Sequence, residues 1–422
     1  MTTNLASTDP IDITVARRAV EAFRSGVPST TAITSLDSLQ PDVDSRFSDL
    51  CSELRQLPGS GRPAKGLLIG GGFGTGKTHL LAHLRAQAAR SGFVTSAVTI
   101  SKEVPLHDPV RVGKAVLAGA TLDGAPRDVV ERLADQVDVR DARWSDLTSH
   151  VRRLDSRFGA SVALYGHPRT PDEINEHVIR FWAGEPLHLP TIRRALKRID
   201  QADNYPFERV TDRDLWAQRI GFAARLARAA GHPGWVVTLD EAELIGRYPT
   251  RQRLRSYAEL GRWLRRRPAD PTAPLAAVAA ITDDYQAAIL DHKGDHNLPS
   301  RLPYRLEEPN TASAAALGIK LIERDLLPLR PATTRSLNTI RAQLHALHGA
   351  AYHWTPPLAP GLPPRSTNQL RHHIRAWINQ WDMYRHQPTF QPDTRLQPLP
   401  ANWDEDPALA AGNPSVNSGP AG

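Results

Sequence analysis

Residues 66–81, GLLIGGGFGTGKTHLL, constrain this 422-residue chain more than any other stretch. Five of the seven residues from position 70 to 76 are glycine, set between an apolar run and a leucine-rich one. Glycine loses more backbone freedom on folding than any other residue, so such density needs a local reason, either positive φ or close approach of another group to the backbone. Gly71, Gly72, Phe73, Gly74, Thr75, Gly76, Lys77 and Thr78 supply that reason, because together they fit G-x-x-x-x-G-K-[ST]. The flanks agree: KGLLIG has the form of a short buried strand, and THLLAHLRAQAARSG puts Leu80, Leu81, Leu84 and Ala88 on one helical face. In such a turn successive backbone N–H groups point inward as an anion nest, and the following helix aims the positive end of its dipole at the same point. Lys77 is then expected to reach the β- and γ-phosphates of a nucleotide and Thr78 to hold Mg²⁺, with His79 closing the nucleotide-contacting run.

A phosphate-binding loop of this kind needs a second, acidic element, and WVVTLDEAELI provides it. An apolar strand ending in Asp240-Glu241 brings two carboxylates to the C-terminal edge of a sheet, where ligands bind in open α/β folds. Asp240 is expected in the Mg²⁺ shell and Glu241 as the group that polarises the attacking water. Thr282 ends another apolar strand, PLAAVAAIT, and would lie beside the γ-phosphate if that strand sits between the other two. Arg365, after a proline-rich turn, is the expected γ-phosphate sensor from a separate helical unit, with Arg371 and Arg375 as rivals at helical spacing.

Strand and helix patterns alternate, as in a mostly parallel sheet covered by helices on both faces. The expected fold class is therefore α/β: a P-loop NTPase, AAA+-like, with an inserted helical subdomain and a C-terminal helical lid. The expected boundaries are a core over 13–310, an insertion over about 108–230, a lid over 311–384, and disorder in 1–12 and 385–422. The last segment carries seven of the 35 prolines.

Lys plus Arg exceed Asp plus Glu by 52 to 45, a formal charge of +7. That excess suits duplex DNA or another acidic partner without requiring one. A basic stripe on one predicted helix, Arg251, Arg255, Arg262 and Arg266, is the candidate contact, either with DNA or with a second copy of the chain. Cys51 is the only cysteine, which leaves no intrachain disulfide or multi-cysteine metal site. His345, His348, His353, His372 and His373 lack accompanying carboxylates at ligand spacing, so no metal besides Mg²⁺ is expected. Neither a signal peptide nor a long apolar span is recognisable, and a cytoplasmic protein with no membrane partner is expected.

Together these residues resemble AAA+ ATPases of the Orc/Cdc6-like and STAND-like sort. The chain also resembles the ATP-binding BrxD family of BREX phage-defence systems, in RRAVEAFRSGVPS, GGFGTGKT, ISKEVPLHDPVRV, FWAGEPLHLPTIRRAL, AARLARAAGHPGWVVTLDEAELI and PPRSTNQLRHHIRAWI. The resemblance implies ATP and Mg²⁺ as cofactors, other defence-system proteins as partners, and work in a system that separates self from foreign DNA. Three other classes compete with a turning-over ATPase. They are a STAND-like nucleotide switch with little turnover, a P-loop kinase, for which no acceptor site is recognisable, and a nucleic-acid-binding scaffold.

Overall fold

The computed structural model describes residues 12–25, 36, 38–57, 64–126, 128–264, 272–301, 309–358, 370–389 and 406. Its seven strands are β1 (Leu67–Gly70), β2 (Val94–Thr99), β3 (Ala120–Leu122), β4 (Ala125–Pro126), β5 (Trp235–Asp240), β6 (Leu275–Ile281) and β7 (Leu326–Pro328). They form one sheet in the order β4-β3-β2-β5-β6-β1-β7. All pairings among β2, β5, β6, β1 and β7 are parallel, and only β3 and β4 run antiparallel to their neighbours. Every residue of β5 and β6 is buried, which explains why these strands are apolar runs rather than alternating ones. Ile69, Val236, Val278 and Ala280 pack on one face, while Leu68, Val237, Leu239, Ala277 and Ala279 pack on the other.

Helix α1 (Ile13–Ser25) opens the described chain, and α2 (Pro41–Gln56) and α3 (Lys77–Arg90) follow. The latter two cover one sheet face with Val43, Phe47, Leu50, Leu54, Leu80, Leu81 and Leu84. Between β2 and β5 lie α4 (Pro109–Ala118), α5 (Val129–Gln136), α6 (Ala142–Val151), α7 (Ser156–Leu164), α8 (Asp172–Trp182), α9 (Leu189–Arg198) and α10 (Asp212–Ala229). Aromatic rings knit these helices together: Trp182 lies 4.9 Å from Tyr165 and 5.4 Å from Phe222, centroid to centroid. Their apolar residues are continuous with those under the sheet, so the insertion and the sheet share one core.

The other sheet face is covered by α11 (Thr250–Leu264) and α12 (Pro309–Arg324). These two approach at backbone distance, and a Cβ on Gly318 would stand 1.9 Å from the Tyr257 carbonyl oxygen. Helices α13 (Thr334–Tyr352) and α14 (Leu370–His386) form a second cluster around Leu337, Ile340, Leu344, Trp377 and Trp381.

Three features differ from the sequence expectation. Hairpin β3–β4 stands inside the stretch expected to be helical, and β7 lies inside the expected helical lid, extending the sheet beyond β1. These strands are two or three residues long, too short to show a period. Helix α1, assigned by position to the core, buries Ala16, Ala19, Val20 and Phe23 against α13 and α14 instead. Arg24 fixes that placement through a 2.7 Å ion pair with Asp382.

Candidate nucleotide site

Because β6 lies between β1 and β5, the segments leaving the C-terminal ends of all three strands meet in one place. They line a cavity of about 420 Å³. Gly72 to His79 form its floor, Glu241 and Glu243 one side, and Asp283 the edge beyond β6. Gly76 makes the loop possible. It is the residue before α3 and has φ of 103°, a conformation that side-chain-bearing residues rarely adopt. Gly71 is anchored behind the loop by its N–H to the Ile281 carbonyl at 3.1 Å.

Lys77 is buried, and its ammonium makes three contacts: the Gly71 carbonyl at 2.7 Å, the Gly72 carbonyl at 3.4 Å and Glu243 Oε1 at 3.3 Å. It also lies 5.3 Å from the centre of the Phe73 ring, itself half exposed. Thr78 lines the cavity on the first turn of α3. Burial lowers the His79 imidazole to about 4, assisted by the charge of His83, which keeps this cavity-lining ring neutral.

Asp240 is buried at the end of β5, where its Oδ1 accepts the Glu241 N–H at 3.0 Å. Glu241 has φ of 58°, in the left-handed region. This conformation costs about 1–2 kcal/mol for a residue with a Cβ and turns the carboxylate out of the strand direction. Burial raises the Glu241 carboxyl, the charge of Asp240 adds to the rise, and Lys77 and Arg371 oppose it. Glu243 is pushed further, to about 7, chiefly by burial.

Among the expected sensor positions, Thr282 follows the central strand and is fully buried, and its hydroxyl lacks a hydrogen-bond partner. It does not line the cavity, whereas its neighbour Asp283 does. Arg365 lies outside the described residues. Its rival Arg371 lines the cavity and its backbone N–H donates to the Gly74 carbonyl at 3.2 Å, docking the start of α14 on the loop. Arg375 donates instead to the Ser25 carbonyl at 3.0 Å.

Sequence reasoning missed Glu243, Asp283 and the apolar wall of the cavity. That wall comes from Phe23 of α1, Leu36, Leu39, Ile340 of α13 and Ile374 of α14. The only signal for Glu243 was an acid embedded in apolar neighbours, Ala242, Leu244 and Ile245. The proposed basic stripe is not a free face. Arg251 is exposed, Arg255 and Arg262 are half-buried, Arg262 is paired with Glu259, and Arg266 lies outside the described residues. Of the five histidines His348 takes a packing role, buried between Asp382 at 3.1 Å and the Trp354 indole N–H at 3.0 Å, while His353 is exposed. Among the described residues no helix is long and apolar enough to cross a membrane.

A mostly parallel sheet with a glycine-rich turn and an acidic strand end at one edge is compatible with the P-loop class of nucleotide-binding proteins. The family model for the BREX system ATP-binding protein BrxC/D matches residues 16–353, and the chain belongs to that family. No curated protein and no solved structure matches it.

Proposed function

We propose that this protein is an AAA+-like ATPase that binds ATP with Mg²⁺ and hydrolyses it. In this reading it acts in the cytoplasm with other proteins of a BREX defence system, its nucleotide state controlling assembly or action on DNA. The observation that carries the reading is the convergence of the Gly72–His79 loop and Glu241 on one cavity. The loop N–H groups and Lys77 bind and orient the phosphates, and the apolar wall takes the base. Thr78, which lines the cavity, and Asp240, buried behind the lining residue Glu241 and not itself part of the lining, would supply two hard oxygen donors, a set that suits Mg²⁺ because this ion takes few protein ligands and fills its shell with water and phosphate oxygens. When bound, Mg²⁺ neutralises charge on the β- and γ-phosphate oxygens. Glu241, its basicity raised by burial, accepts a proton from the water that attacks the γ-phosphorus as the β–γ bridging bond breaks. Arg371 is the γ-phosphate contact from the helical cluster, ahead of Arg365.

The test is phosphate release by the full chain, with and without duplex DNA. Steady release that DNA accelerates supports both halves of the proposal. Retained nucleotide without release points to a switch with little turnover.

A further inference from the structure

A protonated lysine has three N–H donors and no acceptor. In Lys77 those donors face three acceptors that all belong to the protein: two loop carbonyls and the Glu243 carboxylate. The carboxylate is the costly member of the set. Glu243 is only 5% exposed, its second oxygen has no hydrogen-bond partner, and the negatively charged Glu241 lies two residues away. An acid is favoured in the first turn of the short 3-10 helix Ala242–Arg247 where Glu243 stands, but a helix-start charge is ordinarily solvated, and its burial against Lys77 with one oxygen unpartnered is not explained by packing.

We propose that Glu243 is a positioning residue that competes with the nucleotide's phosphates for Lys77. It acts as a latch that lowers nucleotide affinity and so favours exchange over retention. The proposal rests on the reading of Lys77 as a phosphate ligand. A phosphate oxygen that takes up the Lys77 ammonium must displace the Glu243 contact, and it must also enter beside a carboxylate of its own sign. If the latched arrangement holds all but a tenth of the molecules, apparent affinity falls about tenfold below that of the unlatched site. Burial already draws Glu243 toward its neutral form, with a carboxyl at about 7, so the latch weakens as pH falls and strengthens as pH rises. The other groups bearing on it are Glu241 and Lys77, with Tyr285 behind, which burial keeps as a neutral phenol. Arg253 and Asp295 pair with each other at 2.8 Å and bear on Tyr285 in turn.

The test is calorimetric titration of the full chain with Mg²⁺ and β,γ-imido-ATP, on wild type and Glu243→Gln, at about pH 6 and about pH 8. Glu243→Gln is expected to bind about tenfold more tightly than wild type at the higher pH, with the ratio shrinking toward one at the lower. The ratio between variants cancels the titration of the nucleotide itself. Glu243→Met, an apolar replacement of similar length, is expected to tighten binding in the same way and serves if the glutamine variant does not fold. Unchanged or weaker binding in the folded variants, or a ratio independent of pH, overturns the latch. Lys77→Ala separates the two ideas. If it binds the analogue like wild type, the nucleotide-site reading fails; if it loses binding while the Glu243 variants gain none, only the latch fails.

Discussion

The two ends of the cavity are assembled in opposite ways. The polar end comes from one unbroken run, Gly72–His79, plus residues just beyond two adjacent strands. Its geometry is imposed locally, by glycines and strand ends held in a buried sheet. The apolar end is gathered from Phe23, Leu36, Leu39, Ile340 and Ile374, residues brought together by the packing of α1, α13 and α14 with the stretch that holds Leu36 and Leu39. A ligand that fills both ends therefore joins a part whose geometry is set locally to a cluster whose position depends on tertiary contacts. In the proposed reading, chemistry and affinity for phosphate belong to the first end, and coupling of nucleotide state to shape belongs to the second.

The largest expected effect falls at the polar end. Lys77→Ala should weaken Mg-ATP binding about a hundredfold or more, because a charge and its hydrogen bonds to phosphate vanish together. Equilibrium titration of the folded variant checks it, and near-normal affinity would mean that the glycine loop does not hold phosphate. At the apolar end Phe23→Ala should cost about 3 kcal/mol or more through the lost ring and the cavity left behind. The same change should weaken nucleotide binding more modestly. Thermal unfolding with and without nucleotide reads both, and stability lost with affinity intact would detach α1 from the site.

Glu243 sharpens the contrast in a different way. Its carboxyl is raised to about 7 in the folded protein from 4.5. A raised folded value means that its favourable contribution is present below the unfolded value and is lost as pH rises through about 7. Relative to wild type, Glu243→Gln should therefore gain stability between about pH 5 and pH 8, by on the order of 3 kcal/mol at most. Melting temperatures across that range test the sign, and a gain toward acid would reverse it. The smallest effect is expected outside the cavity. Arg251→Glu should flatten the log–log salt dependence of duplex-DNA binding by about 1, the share of a single phosphate contact. An unchanged slope would mean that Arg251 does not reach DNA.

The same division governs what could be read from the sequence. Gly71–Thr78 and Asp240-Glu241 were legible because the proposed chemistry dictates residue type at fixed spacing, β1, β5 and β6 because parallel strands covered on both faces are mostly apolar runs, and β2 because its valines and threonines favour a strand. Helix α1 was legible as a helix, since its apolar stripe shows that it packs, yet the stripe does not say against what. Strand β7 and hairpin β3–β4 carry too few residues for any periodicity. The apolar wall escaped because its members stand in stretches as far apart as Phe23 and Ile374, each with an ordinary packing role of its own. Glu243 escaped for the opposite reason, since an acid just after Asp240-Glu241 passes for a helix-start charge, and only its burial against Lys77 distinguishes it.

In the proposed reading Glu241 drives hydrolysis at a site whose binding is carried by the glycine loop. Glu241→Gln keeps the shape of the side chain and removes its basicity, so the most direct measurement pairs nucleotide binding with phosphate release on this one variant. Mg-ATP affinity is expected within a few-fold of wild type and phosphate release slowed about a hundredfold or more. Release at the wild-type rate from a folded, nucleotide-bound Glu241→Gln protein would contradict it.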